Sequence, residues 1–102
     1  MGDLNKGIVI GRLGDDPKNF NDVVKFSVGT KRRSKEDVTD WFTITAFKKL
    51  GEIATKYLKK GMEVYIEGEM RLSTYTDKKD KIEKLSFEII AHDIQMLGKK
   101  PK

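Results

Sequence analysis

Apolar residues occur at every second position in several short segments, which is the period of strands with one buried face. Between positions 23 and 30, for example, Val24, Phe26 and Val28 alternate with Lys25 and Ser27. Five segments have the length and composition of strands: Leu4–Leu13, Val23–Thr30, Asp40–Phe47, Met62–Leu72 and Leu85–Leu97. Turn residues separate the early segments at 14–17 and 21–22, so the pattern predicts a mostly β domain.

One segment has helical spacing instead. Between Lys48 and Lys60 the apolar positions recur at i, i+3, i+4, i+7 and i+8, at Leu50, Ile53, Ala54, Tyr57 and Leu58. This stripe predicts an amphipathic helix that ends at Gly61. The order is then β-β-β-α-β-β, with the helix between strands three and four. We therefore predict an all-β, five-stranded Greek-key OB-fold barrel with one α-helix.

Strands four and five are separated by a polar segment whose Asp77–Asp80 part predicts the tip of a long hairpin. On these strands we expect the apolar alternation to face the core throughout. The inward positions would include Met70 and Leu72 on strand four, and Leu85 and Phe87 on strand five. The apolar parity changes near His92–Asp93, which predicts a β-bulge or a barrel corner there.

Composition limits the chemistry of the chain. It has 102 residues and a formal net charge of +5, from 21 Lys and Arg against 16 Asp and Glu. Cysteine is absent and His92 is the one histidine, so no nucleophile, base and orienting group can be assembled, and a zinc site is unsupported. We expect no catalytic residue, no metal and no cofactor, while the positive charge favours a polyanionic partner.

The same numbers bear on domain organisation and location. The length suits one domain, which we place at residues 1–98, followed by a short basic tail at 99–102. No apolar run approaches the roughly 20 residues that cross a bilayer, and the first residues lack the apolar region of a signal peptide. We therefore expect a cytoplasmic, nucleoid-associated protein without membrane contact.

The third predicted strand has an unusual distribution of aromatic residues. Alternation places Trp41, Thr43, Thr45 and Phe47 on one face, while Phe42, Ile44 and Ala46 on the other make the better core row. Two large aromatic side chains therefore stand among threonines on the polar face. Either they pack beneath a loop or against another subunit, as large aromatics usually do, or they are exposed for binding.

Cations flank both ends of this row and favour the second interpretation. A nucleobase has an apolar face and a phosphate at its edge, so an aromatic ring beside a cation binds unpaired nucleotides whatever their sequence. We predict Trp41 and Phe47 as stacking residues. Tyr75, near Arg71 at the base of the long hairpin, is either a further stacking residue or an exposed turn tyrosine without a role. The predicted phosphate contacts are Arg12, Lys31, Arg32, Arg33, Lys48, Lys49 and Arg71.

Five segments in matching order resemble the bacterial single-stranded DNA-binding protein family, over essentially the whole chain. They are Gly11–Pro17 (GRLGDDP), Asp40–Trp41 with Phe47–Ala54 (FKKLGEIA), Tyr57–Gly61 (YLKKG), Val64–Gly68 (VYIEG) and Gln95–Gly98 (QMLG). The resemblance implies an OB-fold that wraps single strands in DNA replication, repair and recombination. It implies a homo-oligomer, with a tetramer favoured over a dimer, and it places Trp41, Phe47 and Tyr75 on the family's base-stacking positions.

The chain departs from the family pattern at its first hairpin, which is shortened at Asn21–Asp22, and at Phe42, where relatives often have histidine. Two further departures bear on binding and on partners. The basic loop commonly carries a further stacking aromatic, and here that position is Ser34, which predicts weaker binding or a smaller site. Relatives continue into a linker and an acidic tip that recruits other proteins, whereas this sequence ends at Gly98–Lys102. We therefore expect no protein recruitment through such a tip.

A second function is compatible with the same barrel. An OB-fold module can dock proteins or RNA, as a primosome component would, with the same strand order and a similar basic surface. Relative affinities for single-stranded DNA, duplex DNA and RNA distinguish the two functions.

Overall fold

The computed structural model describes residues 2–98, which form six strands and one helix. In chain order they are β1 (Gly7–Leu13), β2 (Lys18–Phe20), β3 (Val23–Lys31), β4 (Thr39–Phe47), α1 (Lys48–Tyr57), β5 (Glu63–Thr76) and β6 (Glu83–Leu97). The predicted order is confirmed, with the three-residue β2 added to it. The first strand begins at Gly7 rather than Leu4. The Asn5 side chain, instead of its backbone, bonds the amide and the carbonyl oxygen of Met70, and Leu4 is almost fully exposed.

Five of the strands close into a ring. The neighbours run β1-β5-β6-β4-β3, and β3 returns to β1 through the pairs Arg12↔Gly29 and Leu13↔Val28. All pairings are antiparallel except β4 with β6, which pair in parallel at Ile44↔Ile89 and Thr45↔Ile90. The short β2 lies outside the ring, hydrogen-bonded to β3. This arrangement gives the sheet one inner face and one outer face.

The inner face holds the core. Alternate positions of β3, β4 and β5 point inward, and Val28, Ile44, Val64 and Ile66 are completely buried. Helix α1 packs against β3, β4 and β6, and Ala54 is its most deeply buried side chain. Within residues 2–98, no helix is both long enough and apolar enough to cross a membrane.

The end of the helix differs from the prediction. Helix α1 stops at Tyr57, and Leu58 adopts an extended conformation (φ −88°, ψ 141°) while its amide still donates a 3.0 Å hydrogen bond to the Ala54 carbonyl oxygen. Leu58 is buried to 99% in the core, so burial of this side chain ends the helix. Gly61, which we expected at the stop, has a φ of +87° and lies in the turn that leads into β5.

The β5–β6 hairpin extends beyond the ring and corrects a second prediction. Met70, Leu72, Leu85 and Phe87 are exposed rather than buried, because this end of the hairpin has no second layer against it. The β-bulge near His92 is confirmed. Glu67 lies opposite Asp93 but Gly68 lies opposite Ala91, so His92 is the extra residue.

Candidate nucleic-acid interface

Trp41 lies flat on the outer face of the sheet. Its cross-strand partner on β3 is Gly29, and the chain also passes beneath the ring at Gly14. A Cβ atom at Gly29 or at Gly14 would come within 2.7 Å or 2.5 Å of the indole Cζ3. The ring therefore rests on backbone where two side chains are missing, and 58% of the residue is exposed. One face of the indole is supported and the other is open.

Phe47 occupies the opposite end of the same face. It pairs with Val23 across β3 and is 43% exposed. Because Trp41 and Phe47 are six residues apart on one strand, their Cα atoms lie about 20 Å apart. The predicted exposure of the two aromatics on a shared face is confirmed.

Thr45 does not share this exposure. It is 2% exposed, and its hydroxyl donates a hydrogen bond to the Glu88 carboxylate on β6. Thr45 lies on the predicted face, but side chains of the neighbouring strands cover it, since Lys25 lies opposite it on β3 and Glu88 on β6 accepts its hydrogen bond. Lys25 lies 3.9 Å from the same Glu88 carboxylate, which places one negative group between the two aromatic ends.

Arg12 and Lys31 lie beside Trp41. The three residues line one groove between β1, β3 and β4, and Arg12 Nη1 donates a 3.0 Å hydrogen bond to the Gly61 carbonyl oxygen. Lys31 is opposite Thr39, and alternation puts both on the outer face with Trp41. The two cations and the indole ring therefore face the same groove.

Lys48 and Lys49 lie at the other end of β4. Helix α1 begins at Lys48 directly after Phe47, with no connecting residue. Lys48 has a φ of +51° at this sharp turn, a left-handed conformation that non-glycine residues seldom adopt. The two lysines line a groove with Asn19 and Asn21, separate from the groove beside Trp41.

Arg32 is held by a carboxylate. Its Nε and Nη2 donate hydrogen bonds of 3.0 Å and 3.1 Å to the two oxygens of Asp40, the residue before Trp41. This two-bond contact, through hydrogen bonding first, lowers the pKa of Asp40 below its usual value. The Arg32 amide also donates to the Val38 carbonyl oxygen at 3.0 Å, so the pair closes the base of the loop that carries Arg33.

Tyr75 and Arg71 lie on the part of the β5–β6 hairpin that extends past the ring. Tyr75 is 52% exposed and opposite Lys84. Arg71 Nε donates a 3.2 Å hydrogen bond to Glu69 on the same strand. The predicted residues thus fall into three groups, at Trp41, at Phe47 and on the hairpin arm, rather than forming one cluster.

A different polar pair lies on β5. The Tyr65 hydroxyl donates a 2.6 Å hydrogen bond to Glu67, and this bond raises the pKa of Tyr65. Lys6 lies 3.4 Å from the same carboxylate. Among the described residues there is no group of three or more His, Cys, Asp or Glu side chains that could hold a metal ion.

A further exposed aromatic residue lies outside the set of site residues that the sequence pattern predicts. Phe20 on β2 is 55% exposed, although the segment around it was interpreted as a shortened hairpin. A three-residue strand is too short to have a detectable period. The signal that was available is the aromatic Phe20 directly before the Asn21–Asp22 turn that leads into the alternating segment at Val23.

A closed ring of five strands with one helix, and exposed aromatic rings beside cations on its outer face, define a protein of the OB-fold class. The family model "Single-strand binding protein family" matches residues 4–97. The chain belongs to this family.

Similar proteins come from bacteria and from a eukaryotic parasite. The chain is 40% identical to a single-stranded DNA-binding protein of Xanthomonas campestris and 42% identical to one of Neisseria meningitidis, each over 93% of its length. A structure described as the Plasmodium falciparum SSB complex with ssDNA matches with a TM-score of 0.77 at 29% identity, covering 96% of this chain and 98% of the other. The chain spans 61% and 60% of the lengths of the two bacterial relatives.

Proposed function

We propose that this protein binds single-stranded DNA without sequence preference, by stacking bases on Trp41, Phe47 and Tyr75 and by pairing phosphates with nearby cations. The observation that carries the proposal is the Trp41 ring, which is supported on one face by Gly14 and Gly29 and open on the other. A flat, open ring next to Arg12 and Lys31 binds any base, since every base has a π-face. The family to which the chain belongs supports the same function.

The cations differ in availability. Arg32 and Arg71 already pair with Asp40 and Glu69, so phosphates compete with carboxylates for them. Within residues 2–98, the remaining predicted contacts form no salt bridge; these are Arg12, Lys31, Arg33, Lys48 and Lys49. We assign the principal phosphate contacts to this second set.

The proposal has a second part, which concerns the wider role of the protein. We propose that the protein acts in the cytoplasm as a homo-oligomer, protecting unpaired strands in replication, repair or recombination. Two half-exposed isoleucines on β1, Ile8 and Ile10, support a subunit contact, since apolar side chains on a strand are stabilised when another chain covers them. A measurement of the molar mass of the protein in solution tests whether it forms a homo-oligomer.

Titration with oligo-dT of increasing length tests the binding proposal. Trp41 is the one tryptophan of the chain, so we expect its fluorescence to fall as a base stacks on it, and to saturate at a fixed nucleotide length. Duplex DNA and RNA of matched length serve as comparisons. Binding of RNA or of a protein with no response to oligo-dT would contradict the proposal and favour a docking module.

Removing the carboxylate that occupies Arg32 should strengthen binding. Asp40→Asn keeps the size of the side chain but removes its charge, so Arg32 becomes available to phosphate. We expect affinity for oligo-dT to rise about two- to fivefold at low salt. The log–log salt dependence should become steeper by about 0.7, the value for one further phosphate contact on a single strand.

The matched control is Glu36→Gln, which removes one negative charge from the same loop. Glu36 is exposed and forms no salt bridge within the described part of the chain. Equal gains in the two variants would mean that net charge, and not the release of Arg32, changes the affinity.

A further inference from the structure

Phe20 is an exposed aromatic residue outside the ring of strands. It is 55% exposed, close to the value for Trp41. It belongs to β2, which pairs only with β3 in the described chain. An aromatic side chain that served only to pack would be buried against the core or under a loop. Single exposed aromatic side chains are common on protein surfaces, so the position of Phe20 relative to the interface decides what it does.

The strand register places Phe20 on the same face as the candidate interface. Phe20 lies opposite Val23 on β3, and Val23 lies opposite Phe47 on β4. Directly paired residues of antiparallel strands point to the same side of a sheet. Phe20, Val23 and Phe47 therefore form one apolar row across three strands.

The next row on this face carries positive charge. Lys18 lies opposite Lys25, which lies opposite Thr45. Lys18 forms no salt bridge within residues 2–98, whereas Lys25 is 3.9 Å from Glu88. Phe20 thus has a cation two residues away on its own strand, as Trp41 has cations beside it.

The distances between the three aromatic residues extend the interface across the strands as well as along β4. Phe20 and Phe47 are two strands apart, which corresponds to about 10 Å. Trp41 lies about 20 Å from Phe47 along β4. The three rings therefore form the corners of a surface that spans β2, β3 and β4 rather than a single line along β4.

Two acidic residues that line the same groove are bound to backbone amides of the chain. Asp15 and Asp16 line the groove that Phe20 and Lys18 share. Asp16 Oδ1 accepts a 2.8 Å hydrogen bond from the Lys60 amide, and Asp15 Oδ1 accepts one of 2.8 Å from the Asp16 amide. Both carboxylates are bound by backbone amides, so they have a role in the β1–β2 turn.

We infer that Phe20 is a further base-stacking residue, with Lys18 as its phosphate contact, and that bound single-stranded DNA crosses from β4 over β3 to β2. This inference rests on the proposed function. It adds a platform that the sequence analysis did not include. It also replaces the aromatic residue missing at Ser34, in the loop between β3 and β4, by one on β2.

Affinity measurements on three variants test the inference. We expect Phe20→Ala to weaken binding of a long oligo-dT by at least about fivefold, the lower limit for loss of one stacked base. Phe20→Leu should weaken it similarly, because leucine keeps the apolar bulk but has no π-face. Tyr57→Ala is the control, since Tyr57 is a 40% exposed aromatic on α1, and it should bind like the parent protein.

A relocated tryptophan gives a readout that a structural role would not change. In the double variant Trp41→Phe with Phe20→Trp, the one tryptophan of the chain sits at position 20. We expect its fluorescence to fall with oligo-dT, while Trp41→Phe with Tyr57→Trp should show no change. Both proteins should melt cooperatively near the parent temperature.

The outcomes separate the inference from the proposed function. Parental affinity in Phe20→Ala, or binding by the relocated variant without a fluorescence change, would overturn the inference and leave binding at Trp41 intact. If the relocated variant fails to bind, the affinity of Phe20→Ala decides. Failure of the parent protein itself to bind oligo-dT would reject the proposed function, and the inference with it.

Discussion

Simultaneous replacement of Trp41 and Phe47 by alanine should nearly abolish binding of oligo-dT. Each stacked base contributes about 1–3 kcal/mol, so loss of both rings should cost about 2–6 kcal/mol, or about 30-fold to more than 10,000-fold in affinity. Both side chains are largely exposed, so the fold should lose little. Affinity measured by anisotropy of a labelled oligonucleotide, together with thermal melting, checks both parts.

The ring-retaining variant Trp41→Phe is the matched control for this experiment. It preserves a π-face at the same position above Gly14 and Gly29, so it should retain most of the affinity. Undiminished binding in the double alanine variant, with a cooperative melting transition, would exclude these two rings as the principal contacts.

Replacement of Gly68 by alanine should strongly destabilise the fold. Gly68 is buried on β5 opposite Ala91, next to the bulge at His92. A Cβ atom there would overlap the Ile90 carbonyl oxygen, and its contacts with β6 are to backbone, which no side-chain rotation relieves. We expect a loss of about 3 kcal/mol in the free energy of unfolding, at the upper end for overpacking. Urea denaturation measures it.

Gly2→Ala is the corresponding control, because a Cβ atom at Gly2 has no neighbour within 4 Å. It should leave the free energy of unfolding within about 0.5 kcal/mol of the parent value. Parental stability in Gly68→Ala would mean that β6 can move away at the bulge.

Local periodicity was sufficient to predict the order of the elements. The alternation in β3 and β4 identified the inner rows that contain Val28 and Ile44, and the shift at His92 identified the bulge. Periodicity cannot tell where a second layer ends, and for this reason Leu72 and Leu85 were assigned to the core. It also cannot tell when burial of one residue, Leu58, outweighs another helical turn.

The candidate site could be predicted only in part, because local patterns do not show which distant residues come into contact. Parity along one strand is enough to place Trp41 and Phe47 on the outer face. The pairing of Arg32 with Asp40 and of Thr45 with Glu88 joins residues 8 and 43 positions apart, and no local pattern encodes either. Phe20 was not predicted because its position beside Phe47 depends on the register between β2, β3 and β4.

The support of the Trp41 ring by Gly14 and Gly29 lowers the entropic cost of binding. A side chain that must be immobilised on binding costs about 0.5–1.5 kcal/mol, but the indole is already confined by the strands under it. In the proposed complex little of this cost falls on Trp41, so most of the free energy of stacking at this ring is available for affinity.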